Sequence, residues 1–285
     1  MRVISPPPLP IRPHDGNKGT FGRLLVVGGS EGMLGAPSMA GRAALKLGSG
    51  LVEIAVPRVM LVAALTITPE LIGIGLDVGV PEELKSAAEK AAVIVIGPGL
   101  GQSDDAFARL QALAQFDKQM VVDADALNMI SKQDAWPKWF KARAVLTPHP
   151  GEMKRLAKLI GRDSVPTDDA GRIDIATAAA TAFGQTIVLK GSRTVVTDGQ
   201  RVYINHTGDS SLSKAGTGDV LSGMTGCLLG QNMPPFDAAC AAVYLHGRAG
   251  EIAGERLGLR CVLAHDVIDA IPAAVGEYEA RYGTN

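Results

Sequence analysis

The residues best equipped for chemistry lie in the stretch from Asn205 to Gly230, whose core Lys214-Ala215-Gly216-Thr217-Gly218-Asp219 runs into the apolar, small-residue run Val220, Leu221, Gly223, Met224, Cys227, Leu228 and Leu229. A glycine-rich turn that opens into a helix leaves several backbone N–H groups unpaired and directed along the axis, a seat for phosphate. Asp219 is out of place beside a bound anion unless it has work there. That work is either accepting a proton from an attacking hydroxyl or holding a magnesium ion through water. The helix terminus is expected to lower its pKa and make it a weak base. Weak basicity suffices, because phosphoryl transfer depends mainly on positioning and charge stabilisation. A plain helix cap by Thr217 or Asp219 is the alternative, and the glycines around them weigh against it.

A second polar set is Lys190-Gly191-Ser192-Arg193-Thr194, between two apolar β-like runs. This basic turn either reaches a nucleotide's phosphates with Lys190, Arg193 and its backbone, or is a hairpin with two solvated cations. His149 lies between prolines in Thr147-Pro148-His149-Pro150-Gly151-Glu152, a stiff backbone suited to a side chain aimed into a pocket. Glu152 reads as a first-turn carboxylate favoured by the helix dipole rather than a catalyst. Asp123 and Asp125 either orient sugar hydroxyls or magnesium-bound water, or form a turn and a helix cap, the latter favoured for Asp125. The loop Gly97-Pro98-Gly99-Leu100-Gly101 lets a ring or ribose approach the backbone, or is a stiff turn. The glycine loop from Gly28 to Gly35 has neither G-x-G-x-x-G nor Walker A spacing. Lys18, in Asn17-Lys18-Gly19-Thr20-Phe21-Gly22, is more simply a solvated loop lysine than a phosphate contact. His246 and His265 read as packing or capping residues, and no spacing suggests zinc.

These loops follow short apolar runs. Strands are predicted at 23–27, 51–56, 91–96, 119–122, 144–146, 186–189, 195–197 and 201–204. Helices are predicted at 36–47, 82–90, 152–160, 173–183, 236–252 and 265–273, and from 217 onward. Proline-rich residues 6–13 form an extended arm. Strands alternating with helices imply one three-layer α/β domain over residues 1–285, its central sheet mostly parallel with helices on both faces. Aromatic residues are only 4% of the chain, so burial must come from Ala, Val, Leu and Ile. With 28 Lys plus Arg against 29 Asp plus Glu, nothing draws nucleic acid or an anionic membrane surface. Cys227, Cys240 and Cys261 are expected to be buried thiols. No signal peptide or apolar span is legible, so a soluble, cytoplasmic protein is expected.

The motif Gly216-Thr217-Gly218-Asp219 with Leu221-Ser222-Gly223 resembles the anion hole of the ribokinase-like superfamily, whose members phosphorylate hydroxyls of small molecules. The wider ordered set is NKGTFG with GGSEGMLGA, GPGLG, DADALN, TPHPGE, KGSRT and KAGTGDVLSG. Spanning residues 17–223, it resembles the ADP-dependent NAD(P)H-hydrate dehydratases. The resemblance implies that Lys190, Gly191, Ser192, Arg193, Thr194 and Gly218 hold an adenine nucleotide, ADP or ATP. It places Ala36, Gly101, His149 and Asp219 against hydrated NADH or NADPH. It also implies magnesium (Mg2+) with the nucleotide, an even-numbered homo-oligomer such as a tetramer, and any epimerase as a separate protein rather than a fused domain.

The implied chemistry is sound. Hydroxide is a poor leaving group, but phosphorylating the C6 hydroxyl of the hydrated ring lets the ring nitrogen's lone pair expel phosphate, and proton loss restores the dihydronicotinamide. Asp219 would take the hydroxyl's proton, and the Gly216, Thr217 and Gly218 amides would stabilise the transferring phosphoryl group. His149 would either position the substrate or assist the later proton loss. The rivals are a kinase of a vitamin-precursor alcohol, which would leave a stable phosphorylated product, and a nucleotide sensor without turnover. Replacing Asp219 with Asn is expected to abolish turnover and spare nucleotide binding; unchanged turnover would remove Asp219 from the mechanism.

Overall fold

A computed structural model describes residues 2–3 and 5–284. In chain order the described elements are β1 (Arg2–Val3), β2 (Arg23–Val27), α1 (Gly35–Leu47), β3 (Leu51–Pro57), α2 (Leu61–Ile67), β4 (Ile72–Leu76), α3 (Glu82–Lys90), β5 (Val93–Ile96), α4 (Asp104–Leu113) and β6 (Gln119–Val122). There follow α5 (Ala124–Ile130), α6 (Trp136–Trp139), β7 (Arg143–Leu146), α7 (Pro150–Lys158), α8 (Asp169–Phe183), β8 (Thr186–Leu189), β9 (Val195–Thr197) and β10 (Val202–Ile204). The chain closes with α9 (Thr217–Gly230), α10 (Pro235–Leu257) and α11 (Ala264–Tyr282).

The strands form one sheet in the order β1-β10-β9-β8-β7-β6-β5-β2-β3-β4. All neighbours are parallel except β8 with β9 and β9 with β10. Alternation along each strand splits the core in two. Leu24 and Val26 join Val93, Val95 and Val121 beneath α1, α9, α10 and α11. Leu25 and Val27 join Ile94, Ile96, Met120 and Val122 beneath α3, α4, α5, α7 and α8. This is the three-layer architecture, with a mostly parallel sheet, expected from the alternating pattern. The chain steps from β2 outward to β3 and β4, then returns to place β5 on the other side of β2. The loops after β2 and β5 therefore diverge at a crevice beyond the strands' carboxyl ends, where open α/β sheets bind ligands.

Element boundaries moved where caps decide them. Helix α7 begins at Pro150, because His149 itself caps it, and α8 begins at Asp169, because Asp168 accepts the Gly171 N–H at 2.9 Å. Strand β4, Ile-Gly-Ile-Gly-Leu, escaped the sequence reading because its glycines interrupt the apolar run at a sheet edge. Helix α4 escaped it because its start, Ser103 with Asp104 and Asp105, is polar. The expectation of three buried thiols fails for Cys261, which is exposed in the turn after α10, while Cys227 and Cys240 are buried inside helices.

Helix α9 is the interior helix, buried at nearly every position from Val220 to Gly230. It can lie against α1 because Gly223 has no side chain: a Cβ there would stand 2.0 Å from the Ala40 carbonyl oxygen. Gly223→Ala is expected to cost about 1–3 kcal/mol in chemical denaturation. Gly276→Ala, on the exposed face of α11 with nothing near a new Cβ, is expected to gain about 0.5–1 kcal/mol. Equal effects would mean that the α1–α9 approach is not limiting.

Candidate active site

At the start of α9, Gly216 takes φ 91°, a left-handed conformation suited to glycine, and no side chain caps the helix. The capping alternative for Thr217 and Asp219 therefore does not hold. Thr217 Oγ1 instead lies 2.8 Å from the Leu212 carbonyl and 2.9 Å from that of Lys214, tying down the loop before the helix. The first-turn amides have no acceptor within their own helix. Above them opens a cavity of about 480 Å3, within the range of small-molecule sites. Lys190, Gly191, Ser192, Arg193, Thr194, Thr217 and Gly218 all line it.

The basic turn is the β8–β9 hairpin, and buried Arg172 from α8 organises it. Its guanidinium donates to the carbonyls of Leu189 at 3.2 Å, Lys190 at 3.3 Å and Arg193 at 3.2 Å, and to that of Ser192. With the carbonyls of a planar peptide turned to Arg172, the attached N–H groups point the other way. The Arg193 side chain turns outward to Asp169 at 2.8 Å, so one of the two cations is engaged at the surface.

Lys190 turns inward. Its Nζ lies 2.8 Å from Asp123 Oδ1 and 3.9 Å from Glu152 Oε2. Asp123 Oδ2 accepts the Ser222 hydroxyl at 2.6 Å, which ties the β6 end to α9. Burial opposes the Asp123 charge, but Lys190 with the Ser222 and Thr147 hydroxyls holds its carboxyl below the ordinary range. Burial likewise opposes the Lys190 charge, and Asp123 and Glu152 outweigh it to raise the ammonium's pKa.

Asp219 runs opposite to the sequence expectation. Burial, reinforced by Asp123 and Asp125 and only partly offset by Lys190, pushes its carboxyl up to about 7. Desolvation and like charge outweigh the helix terminus here. Glu152 is also more than a first-turn carboxylate: it is buried, accepts the His149 N–H at 2.8 Å, and burial lifts it to about 7. Asp125 is no cap either; its Oδ2 accepts the Gly101 N–H at 2.9 Å, binding the loop after β5 to the loop after β6.

Ala36, Gly101, His149 and Asp219 do not line this cavity. Asp219 adjoins it as the neighbour of Gly218, and His149 through Glu152 and Lys190. Asp125 links Gly101 to Asp219, Glu152 links His149 to Lys190, and Ala36 faces the Gly97–Gly101 loop across Gly99. Lys18 lies elsewhere, its carbonyl against Gly50 at the amino end of β3, so the solvated-lysine reading stands.

Sequence reasoning missed Arg172 and Val243, and although its leading stretch began at Asn205 it gave no role in the cavity wall to Asn205, Thr207, Asp209 or His246. Asn205 Nδ2 donates to the Thr207 and Val243 carbonyls, both at 3.0 Å, and Thr207 Oγ1 donates to the Tyr244 carbonyl at 2.8 Å. These bonds clip the loop to α10. An isolated Asn or Thr in a polar loop carries no such signal, although His246, directly after the apolar run from Ala238 to Leu245 in α10, was an available hint. It pairs with the Thr217 carbonyl at 2.8 Å, a packing role as expected, on the cavity wall.

A profile of NAD(P)H-hydrate dehydratases matches residues 24–273. The chain belongs to the NAD(P)H-hydrate dehydratase family. Among dehydratase relatives, the chain is 36% identical over 271 residues to the ADP-dependent (S)-NAD(P)H-hydrate dehydratase of Neisseria meningitidis, covering 91% of this chain and 86% of that one. It is 39% identical to the bifunctional NAD(P)H-hydrate repair enzyme of Moorella thermoacetica, over 97% of this chain and 53% of the relative. The chain thus spans about half the length of the bifunctional relatives it matches. The ADP/ATP-dependent NAD(P)H-hydrate dehydratase from Bacillus subtilis, co-crystallised with ATP and Mg2+, superposes with a TM-score of 0.82 at 31% identity, over 95% of both chains.

The raised carboxyls of this dehydratase-family chain have a cost. A carboxyl whose folded pKa lies above its unfolded value favours the folded state while protonated. Its contribution is full below about pH 4 and is lost as pH rises through about 7. Asp219→Asn is therefore expected to melt above the parent at about pH 8 and to match it at about pH 4, each kcal/mol released raising Tm by about 2–4 °C. Equal melting at both pH values would place the Asp219 pKa near its ordinary value.

Proposed function

We propose that this chain returns the S-epimer of hydrated NADH or NADPH to the reduced dinucleotide, consuming ADP and releasing AMP and phosphate. The observation that supports this most directly is Asp219: a carboxyl lifted to about 7, at the start of an uncapped helix, beside a cavity of nucleotide size. A general base works best with a pKa near the operating pH, and the helix amides suit a transferring phosphoryl group.

In this reading the Lys190–Thr194 turn and Gly218 hold the nucleotide, and Ala36, Gly101 and His149 hold the hydrated dinucleotide. Asp219 takes the proton of the C6 hydroxyl as its oxygen attacks the terminal phosphorus and the bond to the AMP oxygen breaks. The nicotinamide nitrogen then donates its lone pair, the C6–O bond leaves with phosphate, and loss of a C5 proton closes the C5–C6 double bond. Lys190, paired with Asp123, keeps a positive charge beside the reacting phosphate.

Among the described residues no cluster of three or more His, Cys, Asp or Glu is arranged to hold a metal. Asp123 is also committed to Lys190 and Ser222. Magnesium would enter as a companion of the nucleotide's phosphates and neutralise their charge, and Asp125 and Asp219 are the carboxylates that would hold its water. A cytoplasmic homotetramer completes the reading. Among the described residues no helix is long and apolar enough to cross a membrane.

The test is the return of reduced-nicotinamide absorbance from hydrated NADH with magnesium, with ADP and ATP in parallel, and with phosphate release measured alongside. Recovery is expected, and kcat/KM should rise with pH through about 7 as Asp219 loses its proton. Asp123→Asn removes a charge that raises the Asp219 pKa, so this limb is expected to move to lower pH. Nucleotide binding without recovery would favour a kinase acting on another alcohol.

A further inference from the structure

The His149 side chain closes the amino end of α7 as a capping residue. Its Nδ1 accepts the Gly151 N–H at 2.9 Å and the Glu152 N–H at 3.4 Å, while Glu152 Oε2 accepts the His149 N–H. A ring nitrogen that accepts amide hydrogens is using its lone pair and carries no proton, so the neutral ring bears its proton on Nε2. Moving that proton to Nδ1, or adding a second to form imidazolium, would aim N–H at two N–H donors and lose both cap bonds. The surrounding groups agree with a neutral ring. Burial, Lys190 and Arg155 hold the His149 pKa below the ordinary histidine value, against Asp123. The Glu152 Oε1 atom is 3.4 Å from Nε2, which leaves the donor weakly used. The side chain is 52% exposed, so a ligand can reach it.

We propose that His149 acts as a fixed hydrogen-bond donor, its Nε2–H directed to an oxygen acceptor of the hydrated dinucleotide, and that Glu152 is the positioning residue that holds it so. The proton lost from C5 of the nicotinamide ring then goes to a base other than His149. The identity of the acceptor rests on the dehydratase reading; the tautomer does not.

Two measurements separate these. Long-range 1H–15N spectra of the ligand-free protein with 15N-labelled histidine, assigned by comparison with His149→Ser, are expected to show the Nε2–H pattern for His149 from about pH 6 to 8. An Nδ1–H pattern overturns the proposal whatever the substrate is. Glu152→Gln, which keeps the acceptor of the capping box, is expected to retain the Nε2–H pattern; loss of it would overturn the cap as the cause. In kinetics on hydrated NADH, His149→Ser keeps a capping oxygen but removes the ring. It is expected to raise KM about 10- to 100-fold with kcat changed less than about threefold. A fall in kcat of about 100-fold or more at unchanged KM would make His149 the base and overturn the proposal.

Discussion

Lys190 reaches Asp123 at 2.8 Å and Glu152 at 3.9 Å, and Asp219 feels the same ammonium. One buried cation cannot compensate three carboxylates, so the charge settles on the acid with the best hydrogen bonds. Asp123 has Lys190 and the Ser222 hydroxyl and stays ionised. Glu152 and Asp219 are left with carboxyls near 7. The arrangement leaves two carboxyls raised by giving a third the closest contact with the ammonium and a hydroxyl besides. It also joins three parts of the fold, since Lys190 ends β8, Asp123 ends β6 and Ser222 belongs to α9.

The sheet explains why these groups meet. The loops after β5, β6, β7 and β8 lie side by side because their strands are consecutive neighbours. Glycines, prolines and acids separated in sequence by tens of residues therefore share one rim. Helix α9 then brings its amino end to that rim from beneath, and its small residues let it approach α1 and the sheet closely.

Much of this was legible in the sequence for a plain reason. Short Val, Ile and Leu runs bounded by glycine can be little other than buried parallel strands, and chemistry after such strands is where a ligand must bind. The Lys190–Thr194 turn and the Gly216–Asp219 turn were visible as local composition, and the structure brings them to one cavity. What sequence could not supply was the sign of the Asp219 shift. The helix terminus is a local feature, whereas burial and the Asp123 charge arrive from 96 positions away. Glu152 is the first-turn carboxylate that the sequence suggested, and what no local spacing could show is the burial that lifts it to about 7. Arg172 was invisible, and Asn205 had no legible role within its stretch, because the work of both is to hold backbone, and no spacing announces that.

The four carbonyls held by Arg172 carry one more implication. A glycine-containing hairpin turn would ordinarily sample many shapes and lose that freedom on gripping a ligand. Here a planar five-donor group clamps the turn from behind, so the ordering entropy is spent during folding rather than on binding. The turn is therefore preformed for whatever ligand enters the cavity, and its stiffness derives from α8 rather than from the ligand.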